Sequence, residues 1–235
     1  MPSPVLLNIG NTHTQIRAGD GAEILTVDTA DFSADLLPPG PCAAACVVPA
    51  LLPLLQARNV FLVSAETADG LLDFRHVDAR TLGADRIANA AALLESGPLP
   101  AVCIDAGTAV TMEIVGSDRT FLGGLIAPGR IMMRKALHAG TGQLPEIMLS
   151  AGLPPFPAGC TADAIGAGTD MILLEGIRAA CGMLSRRFPA EKLRVVVCGG
   201  DAPFFLEHLN FAEQTPAGFT LSGVLAVYRR HFPCA

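Results

Sequence analysis

Two stretches of this chain are near copies of one another: Leu7-Asn8-Ile9-Gly10-Asn11-Thr12-His13-Thr14 and Ile104-Asp105-Ala106-Gly107-Thr108-Ala109-Val110-Thr111. Each closes an apolar run, turns at a glycine and re-enters a strand through hydroxyl residues. Asn8 aligns with Asp105, Gly10 with Gly107 and Thr14 with Thr111. A repeated unit of this kind constrains the fold strongly, because it implies two related lobes. A tight strand–turn–strand also presents backbone N–H groups and hydroxyls, donors that suit phosphate oxygens. The expectation is a phosphate group held between two such turns.

The 235 residues suffice for one large or two small domains with a sizeable core. Apolar residues make up 51% and charged residues 16%, which excludes a disordered chain. Many Val, Leu, Ile and Ala with few aromatics suit an α/β protein, whose parallel strands are covered on both faces. The net charge of −6 and the lack of a basic cluster with interleaved aromatics argue against nucleic acid as a partner. A phosphorylated ligand then calls for a cation to balance its charge. The longest apolar stretch, 43–57, is broken by Pro49 and Pro53 and is too short to span a bilayer, so no membrane partner is expected. Val5 to Ile9 runs directly into Gly10-Asn11-Thr12, unlike a signal peptide, and a cytoplasmic protein is expected. Seven cysteines, an odd number mostly set in apolar runs, read as free thiols in a reducing compartment. Cys42 and Cys46 have no nearby histidine, and the spacing rules disfavour zinc there.

In chain order, strands are expected at 5–9, 14–18 and 23–27, with the third following a Gly19-Asp20-Gly21 turn. Strands at 43–48 and 60–64 should flank a short helix at 51–57. The spacing of Ile87, Ala90, Ala91 and Leu94 predicts a helix starting at Gly83-Ala84-Asp85-Arg86 and ending near Ser96. Its first turn favours Asp85 but gives Arg86 nothing, since the dipole repels a cation there. Arg86 therefore answers to a ligand, to an ion pair, or simply to solvent. Beyond a joint at 98–100, strands are expected at 101–104, 111–115 and 121–126, with a hairpin turn at Gly116-Ser117-Asp118-Arg119. Helices are expected at 130–138, 161–187 and 203–209, a strand at 194–198, and a last helix at 222–231 with Ser222 as its N-cap.

Several chemistries are excluded. The two lysines, Lys135 and Lys192, follow no glycine-rich loop, so there is no P-loop. No glycine fingerprint joins a strand to a helix as in a dinucleotide fold. Gly166-Ala167-Gly168 falls inside a helical pattern and reads as a site of close helix packing. No serine sits on a nucleophile elbow, and the five histidines lack ligand spacing. What remains is two repeated turns, Gly199-Gly200 after a strand, and an acid–arginine pair at a helix start. Phosphoryl transfer needs little more than amides around phosphates, a divalent cation and a carboxylate for the hydroxyl proton. Read singly, each glycine merely makes a tight turn; repetition beside a strand-end acid favours the phosphate reading.

These motifs, in this order, resemble the type III pantothenate kinases of the actin and sugar kinase superfamily over nearly the whole chain. Asn8-Ile9-Gly10-Asn11-Thr12 resembles the family's Asp-x-Gly-Asn-Thr. Gly83-Ala84-Asp85-Arg86 matches Gly-Ala-Asp-Arg, and Asp105-Ala106-Gly107-Thr108-Ala109 matches Asp-x-Gly-Thr-Ala. Gly123 to Gly129 matches Gly-Gly-x-Ile-x-Pro-Gly, Thr141 to Pro145 resembles Thr-Ala-Lys-Leu-Pro, and Cys198-Gly199-Gly200 resembles Thr-Gly-Gly.

The resemblance implies two actin-like, ribonuclease H-like α/β lobes, residues 1–98 and 99–235, with ATP in the cleft between them. It implies ATP-dependent phosphorylation of pantothenate to 4'-phosphopantothenate, the first step of coenzyme A biosynthesis. Asp85 would accept the hydroxyl proton. Asn8, Ile9, Gly10, Asn11, Thr12, His13, Thr14, Gln15 and Thr108 would hold the ATP phosphates, with Mg2+. His76, Gly83, Ala84, Asp85 and Arg86 would hold the substrate, Arg86 facing its carboxylate. Thr161 would reach it from the neighbouring subunit of a homodimer. Asp105 would bind a monovalent cation, K+ or NH4+. Three positions depart from the family: Asn8 replaces an aspartate that helps hold hydrated magnesium, His76 replaces a usual tyrosine, and Gly142-Gln143 replaces Ala-Lys. Loss of one preorganised electrostatic contact costs about 3 kcal/mol, about a hundredfold in rate. Asn8 thus keeps open a weakened or non-catalytic ligand-binding or regulatory relative, and His76 a kinase for another small alcohol.

Overall fold

The computed structural model describes residues 3–19 and 23–233. Two five-stranded sheets carry the fold. The first contains β1 (Val5–Ile9), β2 (His13–Ala18), β3 (Ile24–Asp28), β4 (Cys42–Cys46) and β5 (Phe61–Leu62), in the order β3-β2-β1-β4-β5. The second contains β6 (Ala101–Ala106), β7 (Ala109–Val115), β8 (Phe121–Pro128), β9 (Arg194–Cys198) and β10 (Glu213–Gln214), in the order β10-β9-β6-β7-β8. Substituting β1 to β5 by β6 to β10 converts one order into the other. The repeated motif is thus the visible tip of a duplicated sheet.

In the first sheet β1 pairs antiparallel with β2, in register Asn8 to Gln15 and Ile9 to Thr14. It pairs parallel with β4 on its other side, and β4 pairs parallel with β5. This places the ends of β1, β4 and β5 on one edge, where ligands of open α/β sheets bind. Val5, Leu7, Ile9, Ile16, Phe32, Leu37, Ala44, Leu55 and Val60 pack into one apolar cluster. The Asp20 and Gly21 part of the expected turn, and Cys234, lie outside the described residues.

The helices are α1 (Leu52–Ala57), α2 (Ala84–Ser96), α3 (Arg130–Gly140), α4 (Thr161–Arg187), α5 (Ala202–His208) and α6 (Phe219–His231). Gly83 caps α2, and Gly97, in a conformation few side chains adopt, ends it. Residues 87–93 of α2 are all buried, because the helix packs against both β4 and α6. A Cβ on Gly223 of α6 would overlap the Ala88 carbonyl, so that glycine sets the closeness of the crossing. Among the described residues, no helix is long and apolar enough to cross a membrane.

Two compact units result, one of residues 1–101, 113–123 and 216–235, the other of 102–112 and 124–215. The grouping departs from a single division near residue 98 because α6 packs on α2, β1 and β4, and because Asp73 pairs with Thr120 at the β7–β8 hairpin.

Three local expectations are corrected. The last helix begins at Phe219 with Gly218 at its N-cap, and the Ser222 hydroxyl donates to the Gly218 carbonyl from inside the helix. Gly166 makes room for a loop, since a Cβ there would lie 2.8 Å from Pro154 Cγ; Gly168 has open space. The second repeat is one residue tighter than the first: Gly10 N–H donates to His13 O, whereas Gly107 N–H donates to Ala109 O. Side chains alternate along a strand, so the buried position after the turn falls at Thr14 in one copy and Val110 in the other.

Candidate active site

In the first unit the turn 10–12 is braced from beneath. Thr14, fully buried, shares a 3.0 Å hydrogen bond with the Thr29 hydroxyl, which donates to Gly10 O at 2.8 Å. Thr29 N–H donates to Thr12 O at 2.9 Å, so a short 3-10 turn at Thr29–Asp31 fixes both ends of the loop. The side chains of Ile9 and Thr14 therefore support the turn, while Asn11, Thr12 and His13 are exposed on it. His13 Nε2 lies 3.5 Å from Asp28. Gln15 stands opposite Asn8 in the strand register.

Asn8 Oδ1 is buried and, among the described residues, has no hydrogen-bond partner. An orphaned buried carbonyl oxygen is unfavourable unless a donor reaches it. A water carried by a hydrated cation is such a donor, so the position fits the magnesium role, with a neutral ligand in place of a charged one.

Gly83, Ala84, Asp85 and Arg86 form the start of α2. Half-buried Asp85 accepts the Arg86 backbone N–H at 2.7 Å through Oδ1. Burial pushes its carboxyl above the ordinary aspartate value, opposed by that hydrogen bond and by the Arg86 charge. A Cβ on Gly83 would lie 2.6 Å from Asp85 Oδ1, so glycine is what leaves the carboxylate its place. Beside them opens a cavity of about 670 Å3, lined by Gly83 and Ala84 but not by Asp85 or Arg86, by Cys46 at the end of β4 and Val47 after it, and by Val63 and Ser64 beyond β5. His76 is exposed on a turn and does not line it.

Arg86 has a partner that no local pattern announced. Its Nε donates to Glu113 Oε1 at 2.9 Å, and Glu113 is fully buried in β7. Asn89, one turn along α2, reaches Glu113 Oε2 at 3.5 Å, and its own Oδ1 accepts from Thr220 of α6 at 2.7 Å. The one available signal was an acid inside Val-Thr-Met-Glu-Ile-Val, which is unusual for a covered strand.

In the second unit, half-buried Asp105 closes β6 beside the Gly107-Thr108 turn. Three glycine-bearing turns stack backbone on backbone there. Gly129 N–H donates to Thr108 O at 3.0 Å, and a Cβ on Gly129 would lie 2.5 Å from Gly107 O. Asp201 N–H donates to Ala106 O at 2.9 Å, and a Cβ on Gly199 would overlap that same carbonyl. Exposed Thr161 begins α4, behind a Cys160 cap whose sulfur accepts the Asp163 N–H. Cys42 and Cys46 direct their thiols to the carbonyls of Gly40 and Val48.

A further cluster in this unit went unread in the sequence. Arg130 and Arg134, both buried, flank Asp170 of α4, and Arg130 also pairs with Asp201 at 3.0 Å. The two arginines hold the carbonyls of Ser150 and Met148.

Residues 41–181 match the model of the type III pantothenate kinase family, more than half of the chain. This chain belongs to that family. A type III pantothenate kinase from Rhodospirillum rubrum is 35% identical over 153 residues, 65% of this chain and 58% of that protein. The chain thus spans under two thirds of the length of the first curated relatives it matches. Among solved structures, a protein provisionally described as a Baf family transcriptional activator from Campylobacter jejuni has a TM-score of 0.66 at 22% identity, covering 98% of this chain and 100% of that one. One provisionally described as a 2-dehydro-3-deoxygalactonokinase from Sinorhizobium meliloti has a TM-score of 0.54 at 14% identity, covering 99% and 98%. These likenesses, with the duplicated strand order, show the fold: two related actin-like α/β lobes.

Proposed function

We propose that this chain is an ATP-dependent kinase acting on the primary hydroxyl of pantothenate, the first step of coenzyme A biosynthesis. The observation that carries the reading is the half-buried Asp85, its carboxyl raised in pKa by burial, in the first turn of α2 directly after Gly83 and Ala84, which line the cavity. A carboxylate made more basic by burial is a better acceptor for a hydroxyl proton. In the proposed step the hydroxyl gives its proton to Asp85 as its oxygen bonds to the γ-phosphorus. The bond from that phosphorus to the bridging oxygen of ADP breaks, and the leaving diphosphate keeps the electron pair.

The chain's own residues divide the remaining work. The Gly10–Thr12 turn and Thr108 offer amides and hydroxyls to the ATP phosphates. Asn8 would meet a water of bound Mg2+, and Asp105 would hold a monovalent cation; together they offset phosphate charge. Arg86, paired with Glu113 through Nε, is the cation proposed to meet the substrate carboxylate. Exposed Ile131, Met132 and Leu137 on α3, with Ile172 and Met183 on α4, supply an apolar face for a second copy of the chain. Thr161 would reach the substrate across such a homodimer. The proposed substrates, ATP and pantothenate, accord with a cytoplasmic protein.

A coupled ATP-turnover assay with pantothenate, Mg2+ and K+ tests the reading on the unmodified protein, Asp85→Ala and Asn8→Asp. Pantothenate-dependent turnover abolished in Asp85→Ala is expected, with Asn8→Asp faster by up to about a hundredfold. A second reading rests on the neutral Asn8: a ligand-binding relative without turnover. Silence of the unmodified protein beside an active Asn8→Asp establishes that second reading and overturns the first.

A further inference from the structure

The buried carboxylate of Glu113 has no part in proton transfer, yet it is held at both oxygens. Oε1 accepts Arg86 Nε at 2.9 Å and Oε2 accepts Asn89 Nδ2 at 3.5 Å. Thr220 donates to Asn89 Oδ1 at 2.7 Å, which fixes which end of that amide faces Glu113. Arg86 and Asn89 are three residues apart on α2 and so share one helix face. Glu113 is fully buried, while 14% of the Arg86 side chain remains exposed. The pair therefore has a buried anchoring end and a surface end. A guanidinium is planar, so binding its Nε edge sets the plane in which its other donors lie.

We propose that Glu113 is a positioning residue for substrate recognition: it holds the Arg86 guanidinium in the orientation that binds a carboxylate, making the site selective for an acid over its neutral alcohol. The inference rests on the reading of Arg86 as the carboxylate partner. It assigns the Thr220–Asn89–Glu113 chain a job beyond packing, namely transmitting the rigidity of the α2–α6 contact to Arg86.

The test compares pantothenate with pantothenol, in which a hydroxymethyl group replaces the carboxylate. Binding by calorimetry and turnover are measured for the unmodified protein and Glu113→Gln. Glutamine keeps the shape and an acceptor but removes the charge. The expected result is a loss of about tenfold or more in pantothenate affinity and a matching rise in KM, with kcat and pantothenol binding little changed; tenfold corresponds to about 1.4 kcal/mol. If Glu113→Gln does not fold, Thr220→Val, which removes the hydroxyl bond to Asn89 Oδ1, carries the test with the same direction of change. Equal losses for both ligands, or unchanged selectivity, overturn the inference and leave Glu113 a structural residue. Equal binding of the two ligands by the unmodified protein overturns the carboxylate role of Arg86 and the inference with it. Selective binding without turnover overturns the kinase reading alone.

Discussion

As the proposed proton acceptor, Asp85 meets opposing demands from stability and chemistry. Its carboxyl is raised chiefly by burial, against the Arg86 backbone hydrogen bond and charge. For an acid whose folded pKa exceeds its unfolded one, the folded state binds the proton more tightly. The associated stability is full below the ordinary aspartate value of 3.8 and is lost as pH rises through the folded value. At neutral pH the ionised group thus weakens the fold, and Asp85→Asn, which keeps an acceptor for the Arg86 N–H, should melt higher than the unmodified protein. Melting curves from pH 3 to pH 8 should show that gain vanish at the acid end. The same substitution should lower turnover by about 10²- to 10⁴-fold. The acid limb of kcat/KM should lie above the ordinary aspartate range. Gly83→Ala tests position separately from charge. Its Cβ would come 2.6 Å from Asp85 Oδ1, so the carboxylate must move. Glycine to alanine at an N-cap alters stability by about 1 kcal/mol or less, whereas misplacing a reacting group by about 1 Å lowers rate by about a hundredfold. An unchanged kcat in a folded Gly83→Ala variant would remove Asp85 from the reaction.

At the scale of elements, the parts proposed to hold the phosphates are turns, and those of the second unit are pressed against one another. Gly199 has φ of +94° and its missing Cβ faces the Ala106 carbonyl, so two independent constraints demand glycine. Gly199→Ala should cost about 1–3 kcal/mol from backbone strain alone. The displacement falls beside Asp105 and Thr108, so binding of a nonhydrolysable ATP analogue should weaken together with the melting temperature. Retained analogue binding would place the phosphates elsewhere. The duplicated sheets show why the copies are not equivalent. The first keeps a three-residue turn braced by Thr29, and the second a tighter one braced by the turns at Gly129 and Gly199. Thr29 stands outside the repeated motif, and nothing within eight residues of the turn hinted at its part.

At the scale of the molecule, a network of charges is buried in the second unit. Asp170 is enclosed with Arg130 and Arg134 on either side, and Arg130 stacks on Phe204. Asp170→Asn leaves buried guanidinium charge uncompensated and should lower stability by about 3–5 kcal/mol. The triple change Arg130→Met, Arg134→Leu and Asp170→Leu removes both guanidinium charges and the Asp170 charge at similar volume, and leaves Asp201, whose side chain is 20% exposed, to solvent. It should stay close to the unmodified stability or exceed it by about 1–4 kcal/mol. Chemical denaturation of the two variants checks both figures. If the triple variant is the weaker, the network stabilises through its bonds to the 148–150 segment.

Local chemistry in the sequence was enough to place β1, α4 and β9 at their observed bounds, because apolar runs, caps and glycines act over a few residues. It was enough to reveal the repeat, and the repeat implied the paired sheets. It also marked Gly83 to Arg86 as a helix start with a misplaced cation. Only the tertiary structure decided what that cation faces. Glu113 is 27 residues from Arg86, Thr220 is 131 from Asn89, and neither separation leaves a periodic trace. The two-residue strand β10, the capture of α6 by α2, and the burial of Arg130 and Arg134 likewise depend on chain segments far apart in sequence. Burial and ion pairing are properties of what surrounds a residue, and those surroundings exist only once the chain has closed on itself.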